Sequence, residues 1–203
     1  MMMTQDTIIL SFDTTSRQDS IALRSSTIDE VRILPQGGSG LQSAILVPEL
    51  QRLLADYSLT FRDVSLLCTL TGPGSFTGIR IGLATAQGFK IALNIPVFAP
   101  SALDILAGLS GYPAVIDSLR QDYFVKDNDQ ILILTLSELH QRFGNQPIAS
   151  TSEISDIRTI VNNTPMAKLV TDFYLSHKTY RQYSVLEPFY IRTPEFTKKK
   201  PTI

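Results

Sequence analysis

The chain has 203 residues, enough for one large domain or two small lobes, and 43% of them are hydrophobic, ample for a core. Its 18 lysines and arginines balance 19 aspartates and glutamates, so no global field draws it to nucleic acid or to an anionic membrane. The single cysteine, Cys68, excludes an intramolecular disulfide, and nothing in the composition asks for an oxidising compartment.

The start, Met1 to Asp6, lacks a basic stretch, and the apolar run Ile8 to Leu10 is too short for a signal peptide. The longest apolar stretch, Ile79 to Leu93, is interrupted by Arg80 and Lys90 and falls short of the roughly 20 residues that cross a membrane. A cytoplasmic protein with no membrane association is the expectation.

In chain order, residues 7–13 (Thr-Ile-Ile-Leu-Ser-Phe-Asp) read as a buried strand ending in Asp13, Thr14, Thr15 and Ser16. Residues 19–25 and 27–34 follow as antiparallel strands. Gly37, Gly38 and Gly40 break the pattern, and residues 41–57 read as a helix with Leu46, Leu50, Leu53 and Tyr57 on one stripe and Leu41 and Ile45 beside it. Pro48 inside it predicts a kink or a late start, since proline removes a backbone hydrogen bond. The apolar run 64–70 suits a central strand, followed by the turn Gly72-Pro-Gly-Ser-Phe-Thr-Gly78 and a helix over 79–93.

A strand at 96–99 and a helix at 101–109, with Ser101 as N-cap, complete a first half that reads βββαβαβα. From Tyr112 the order starts again, with strands at 114–117, 122–126 and 130–134, a helix at 136–143, a strand at 147–150 and a helix at 166–177. Two βββαβα-type units in tandem are the arrangement of the actin-like ATPase and sugar-kinase (ribonuclease H-like) α/β superfold. The expected division is residues 1–105 and a smaller lobe at 106–203, whose Lys198, Lys199 and Lys200 read as a solvated end.

The turn Gly72–Gly78 lies between a strand and a helix, where backbone N–H groups and a helix dipole hold phosphates. It lacks the Gly-Lys-Ser/Thr of a P-loop, and its glycines equally serve a tight turn capped by Ser75 or Thr77. Asp13, Thr14, Gly72, Gly74 and Ser75 are therefore candidate nucleotide contacts, although the hairpin Thr14 to Gln18 has no glycine to close on a phosphate. On the following helix Gly78, Gly82 and Ala86 form one small-residue stripe and Ala84, Gly88 and Ala92 another. Each interior glycine costs about 0.5–1 kcal/mol, so close backbone approach is expected on both, one against the chain's own sheet and one against a second helix.

His140 and His177 have no ligand-spaced partners and read as exposed helix positions, with no metal site expected. Cys68 reads as a core thiol, and no Ser or Cys has a candidate base beside it. Catalytic residues are not expected.

Phe12-Asp13-Thr14-Thr15, the block Thr71-Gly-Pro-Gly-Ser-Phe-Thr-Gly-Ile-Arg-Ile-Gly-Leu-Ala-Thr-Ala-Gln-Gly88, and Glu187-Pro-Phe-Tyr-Ile-Arg192 together resemble the TsaB (YeaZ) family. The resemblance implies a non-catalytic subunit that supports a TsaD-like, glycoprotease-like enzyme, in the complex adding threonylcarbamoyl to adenosine 37 of tRNA (t6A biosynthesis). It implies a heterodimer with that enzyme, a TsaE-like ATPase as a further candidate partner, a homodimer when alone, and tRNA contact only through the complex. It requires no cofactor of this chain and leaves room for ATP or ADP at the complex interface.

In that family two helices of each N-terminal lobe pair with those of the partner, which implies an interface through Leu46, Leu50, Leu53, Gly78, Ile79, Gly82, Leu83, Ala86 and Phe89. Gly82→Leu is then expected to weaken pairing and spare the fold. Two departures stand out. The metal-binding His-x-x-x-His of the catalytic relatives corresponds to Gln42 and Leu46, and the family's Asp-Ala-Arg-x-Gly-Glu-Val-Tyr stretch is Asp117-Ser-Leu-Arg-Gln-Asp-Tyr-Phe124. The alternative is an actin-like ATPase or small-molecule kinase using Asp13, Thr14 and the glycine turn around a phosphate with Mg²⁺.

Overall fold

The structure, a computed structural model, describes residues 6–35, 41–177 and 183–192. Gly37, Gly38, Gly40 and the lysines near the end of the chain lie outside the described residues. The first half contains β1 (Ile9–Asp13), β2 (Ser20–Arg24), β3 (Asp29–Ile33), α1 (Leu41–Ala55), β4 (Leu66–Cys68), α2 (Phe76–Leu93), β5 (Val97–Phe98) and α3 (Ala102–Ser110). The second contains β6 (Ala114–Asp117), β7 (Asp122–Asp127), β8 (Gln130–Thr135), α4 (Leu136–Phe143), β9 (Ile148–Ser150), β10 (Thr159–Val161) and α5 (Met166–Ser176).

Each half forms one five-stranded sheet, in the orders β3-β2-β1-β4-β5 and β10-β9-β6-β7-β8. Within each, the first three strands form an antiparallel meander and the later ones add in parallel. This is the actin-like, ribonuclease H-like α/β superfold. β1 is buried along its whole length because helices cover both its faces, which is why Ile-Leu-Ser-Phe-Asp shows little polar alternation.

Leu10 and Phe12 of β1 join α1 and α2 in one core, while Ile9 joins α3 and α5 in another. A third core lies under α4, around Val115, Val125, Leu139 and Phe143. The covering helices are exchanged between the halves. α3, from the first half, packs on β6, β7 and β9, and α5, from the second, packs on β1, β2 and β4. Ser11 and Thr171 join hydroxyls at 2.5 Å where α5 crosses β1. The sequence-based division near residue 105 falls inside α3.

Three differences have local causes. α1 runs through Pro48 as one helix, with Pro48 exposed to solvent. α2 starts three residues early, at Phe76, because Ser75 Oγ accepts from Gly78 N and caps it. β10 is a three-residue parallel edge strand, too short to leave an alternation pattern.

Candidate functional site

The β1–β2 turn and the β4–α2 turn are packed directly against each other. Ser75 N donates to Thr15 O at 2.8 Å, and Thr14 Oγ1 donates to Gly78 O at 2.7 Å. A Cβ at Gly74 would overlap the Thr15 carbonyl and one at Gly78 the Thr14 carbonyl, so these glycines are demanded by close packing. Gly72, at φ +119°, lies against the Ile79 side chain and the Phe189 carbonyl. The Thr14–Thr15 backbone thus packs directly on the inner side of the glycine turn.

Asp13 and Thr14 are fully buried, and Asp13 Oδ1 accepts from Thr15 N and Thr15 Oγ1, each at 2.7 Å. Burial raises the Asp13 carboxyl above its ordinary range, opposed by hydrogen bonds from Ser16 and Thr15 and reinforced by the nearby Asp19 charge. Of the nucleotide candidates, Gly74 and Ser75 reach the cleft between the halves, a space of about 660 Å³ also lined by Arg17, Asp117, Arg120 and Met166. Arg17 and Asp117 close an ion pair across it at 3.2 Å.

The helices α1 and α2 lie side by side on the outer face of the first sheet. Leu46, Leu50, Leu53, Gly78, Ile79, Gly82, Leu83 and Ala86 point inward and are buried in the chain's own core, and Phe89 stacks on Phe61 at 4.5 Å. The interface expected through these residues is therefore corrected: they belong to the core, because the more apolar stripe of each helix is spent on the sheet. A Cβ at Gly82 would sit 2.8 Å from Thr14 Oγ1, so Gly82→Leu would strike the core.

What α1 and α2 turn outward is Ala44, Val47, Pro48 and Gln51 on one and Arg80, Ala84, Gln87, Gly88 and Ile91 on the other. Ile91 is 74% exposed, and a Cβ at Gly88 would meet nothing within 4 Å. Of the two small-residue stripes, Gly78–Gly82–Ala86 is internal and Ala84–Gly88–Ala92 faces away. At the start of α1, Gln42 donates to Asp19 Oδ1 at 2.9 Å.

Residues 183–192 form a strap that sequence patterning missed, since it has almost no regular structure. Ala99 N donates to Tyr183 O at 2.7 Å and Phe189 N to Thr71 O at 2.8 Å, so the strap crosses the mouth of the β4–α2 turn. Tyr190 then packs on Phe76 with ring centres 5.1 Å apart and accepts from Arg80 Nε at 3.2 Å. Arg192 pairs with Asp122 on β7. The block Glu187–Arg192 was the sequence signal for it.

His140 and His177, expected exposed, are half-buried; His177 stacks on Phe173 with centres 4.2 Å apart. Cys68 is buried, its thiol pushed up to about 12 by desolvation, which makes it inert as a nucleophile. Among the described residues no group of His, Cys, Asp and Glu is arranged to hold a metal, and no helix is long and apolar enough to cross a membrane.

A family model described as "TsaD: tRNA N6-adenosine threonylcarbamoyltransferase" matches residues 25–112. The "tRNA threonylcarbamoyladenosine biosynthesis protein TsaB" of Buchnera aphidicola subsp. Schizaphis graminum is 32% identical over 100 residues, 49% of this chain and 47% of that protein. The protein of the same description from Bacillus subtilis is 34% identical over 102 residues, covering 49% and 43%. The chain thus spans about half the length of the curated relatives it matches. The solved structure "YeaZ from Pseudomonas aeruginosa" superposes with a TM-score of 0.68 at 20% identity, covering 91% of this chain and 100% of that one, which shows a shared fold.

Proposed function

We propose, from the similarity of about half of this chain to TsaB proteins, that it is a non-catalytic scaffold subunit of the machinery adding threonylcarbamoyl to adenosine 37 of tRNA, and that it binds and supports a TsaD-like catalytic subunit. The observation that carries this reading is the outward face of α1 and α2. It is a shallow, small-residue surface with exposed Val47 and Ile91 that no part of the described chain covers. Small side chains let a partner helix approach closely, and an apolar patch rimmed by polar groups is how interaction sites present themselves.

The chemistry of the remaining candidates supports a scaffold over a catalyst. The acid at the end of β1 is sealed in the core, the glycine turn is packed against the chain's own Thr14–Thr15 backbone, and Cys68 is inert. Size-exclusion chromatography with the TsaD-like protein of the same organism should give a heterodimer, and tRNA modification by that protein should rise when this chain is added. Absence of a complex, with and without nucleotide, would sink the proposal. Alone, the chain is expected to pair weakly with a copy of itself.

The cleft of about 660 Å³ favours one second reading, an actin-like nucleotide hydrolase or kinase. ATP turnover by the isolated chain, lost in Asp13→Ala, would establish it. With Asp13 sealed from solvent, the expected result is no turnover.

A further inference from the structure

Arg80 stands at the head of the outward stripe Arg80, Ala84, Gly88, Ala92 and is solvent-exposed, yet it is held on two sides. Its guanidinium lies over the Phe76 ring, 4.0 Å from the ring centre, and its Nε donates to Tyr190 Oη at 3.2 Å. The ring contact and the phenol hydrogen bond restrain the guanidinium from two sides, and the hydrogen bond uses Nε rather than the Nη pair. Having accepted from Nε, the phenol keeps its own hydrogen to donate. Among the described residues Arg80 has no carboxylate partner.

The surrounding surface has the complementary deficit. α2 contains no acidic residue, and the acid of α1, Glu49, is paired with Arg52. At the far end of α2, Lys90 is exposed as well. The helices of a second copy would therefore bring no unpaired carboxylate to Arg80, the exposed acid on this side being Glu187 of the strap, whereas a different protein with an acidic side chain at the edge of its docking helices would.

We propose that Arg80, positioned by Phe76 and Tyr190, is the polar anchor of the α1/α2 face and takes a carboxylate of a heterologous protein partner, so that the strap 183–192 is part of the docking surface. The inference rests on the scaffold reading above and adds to it the partner's charge and the role of the strap. A preset fork pairs bidentately with carboxylate at a small entropic cost. The strap orients it through Tyr190 and is itself tied to Thr71 and, through Arg192, to Asp122 in the second half.

The test is isothermal titration of the TsaD-like protein of the same organism against five forms of the full chain: wild type, Arg80→Ala, Arg80→Lys, Tyr190→Phe and Gly88→Leu. Melting curves confirm that each is folded. Arg80→Ala should weaken binding tenfold or more, and Arg80→Lys should restore part of it, because charge returns without the fork. Tyr190→Phe, which keeps the ring stack and loses the phenol, should weaken binding several-fold and have no further effect on top of Arg80→Ala. Raising the salt should weaken wild-type binding more than that of Arg80→Ala.

Binding by Arg80→Ala within twofold of wild type, while Gly88→Leu abolishes it, overturns the anchor and leaves the face standing. If Gly88→Leu binds normally while Arg80→Ala does not, the helical-face reading fails and the anchor survives. No complex with the wild-type chain overturns both.

Discussion

Asp13 shows how one buried carboxyl makes stability depend on pH. Its folded-state pKa is raised, with burial as the main cause, so the native state favours the protonated form. The stabilisation from that proton is fully present below the ordinary carboxyl range near 4 and is lost as pH rises through the raised value. Asp13→Asn keeps the Oδ1 acceptor for Thr15 and removes the charge. It should therefore raise the melting temperature at pH 7 by a few degrees, about 1 kcal/mol, with the gain shrinking as pH falls toward 4. A lower melting temperature for the variant at pH 7 would show that the Ser16 and Thr15 hydrogen bonds outweigh burial. The glycines make a second contrast at this scale. Gly78→Ala drives a methyl into the Thr14 carbonyl and should cost ~3 kcal/mol, whereas Gly88→Ala, in open space mid-helix, should gain about 0.5–1 kcal/mol. Thermal melts of the two variants decide it.

At the scale of the element, α2 is the informative case. Its two small-residue stripes were legible in the spacing of Gly78, Gly82, Ala86 and of Ala84, Gly88, Ala92, and so was the need for close approach on both. Which stripe faces inward was not legible, because both read alike along the helix. The answer comes from the β1–β2 turn, whose Thr14 sits under Gly78 and Gly82. Gly82→Leu is accordingly expected to destabilise the fold, while Gly88→Leu leaves it within about 0.5 kcal/mol and loses partner binding; a melt and a binding isotherm separate the two. Most helices and strands were legible from periodicity and from capping residues such as Ser101, whereas the Thr135 cap of α4 emerges only in the structure. The strap was legible only as a residue block without a role. Its contacts join residues far apart in the chain, Arg80 to Tyr190 and Thr71 to Phe189, and no local pattern encodes such pairs.

On the scale of the whole molecule, the core between the sheets draws Cys68 and Phe98 from one half and Ala114, Ala149 and Phe173 from the other. Cys68 is consequently a reporter of its integrity. In native buffer a thiol reagent should label it only at the rate of global opening, and at once in denaturant, since its thiolate is both sealed and disfavoured. Fast labelling of the folded protein would mean that the halves separate readily. The two-lobed order was legible from the repeated strand and helix pattern, but the exchange of α3 and α5 was not, because packing partners leave no trace in element order. That exchange bears on how such a chain diverges. The family model matches residues 25–112, within the first half and α3, yet that half is not expected to fold as a separate module, since its sheet takes one covering helix, α5, from the second half. A gene cut between the halves should yield insoluble fragments separately and a working protein only when both are made together.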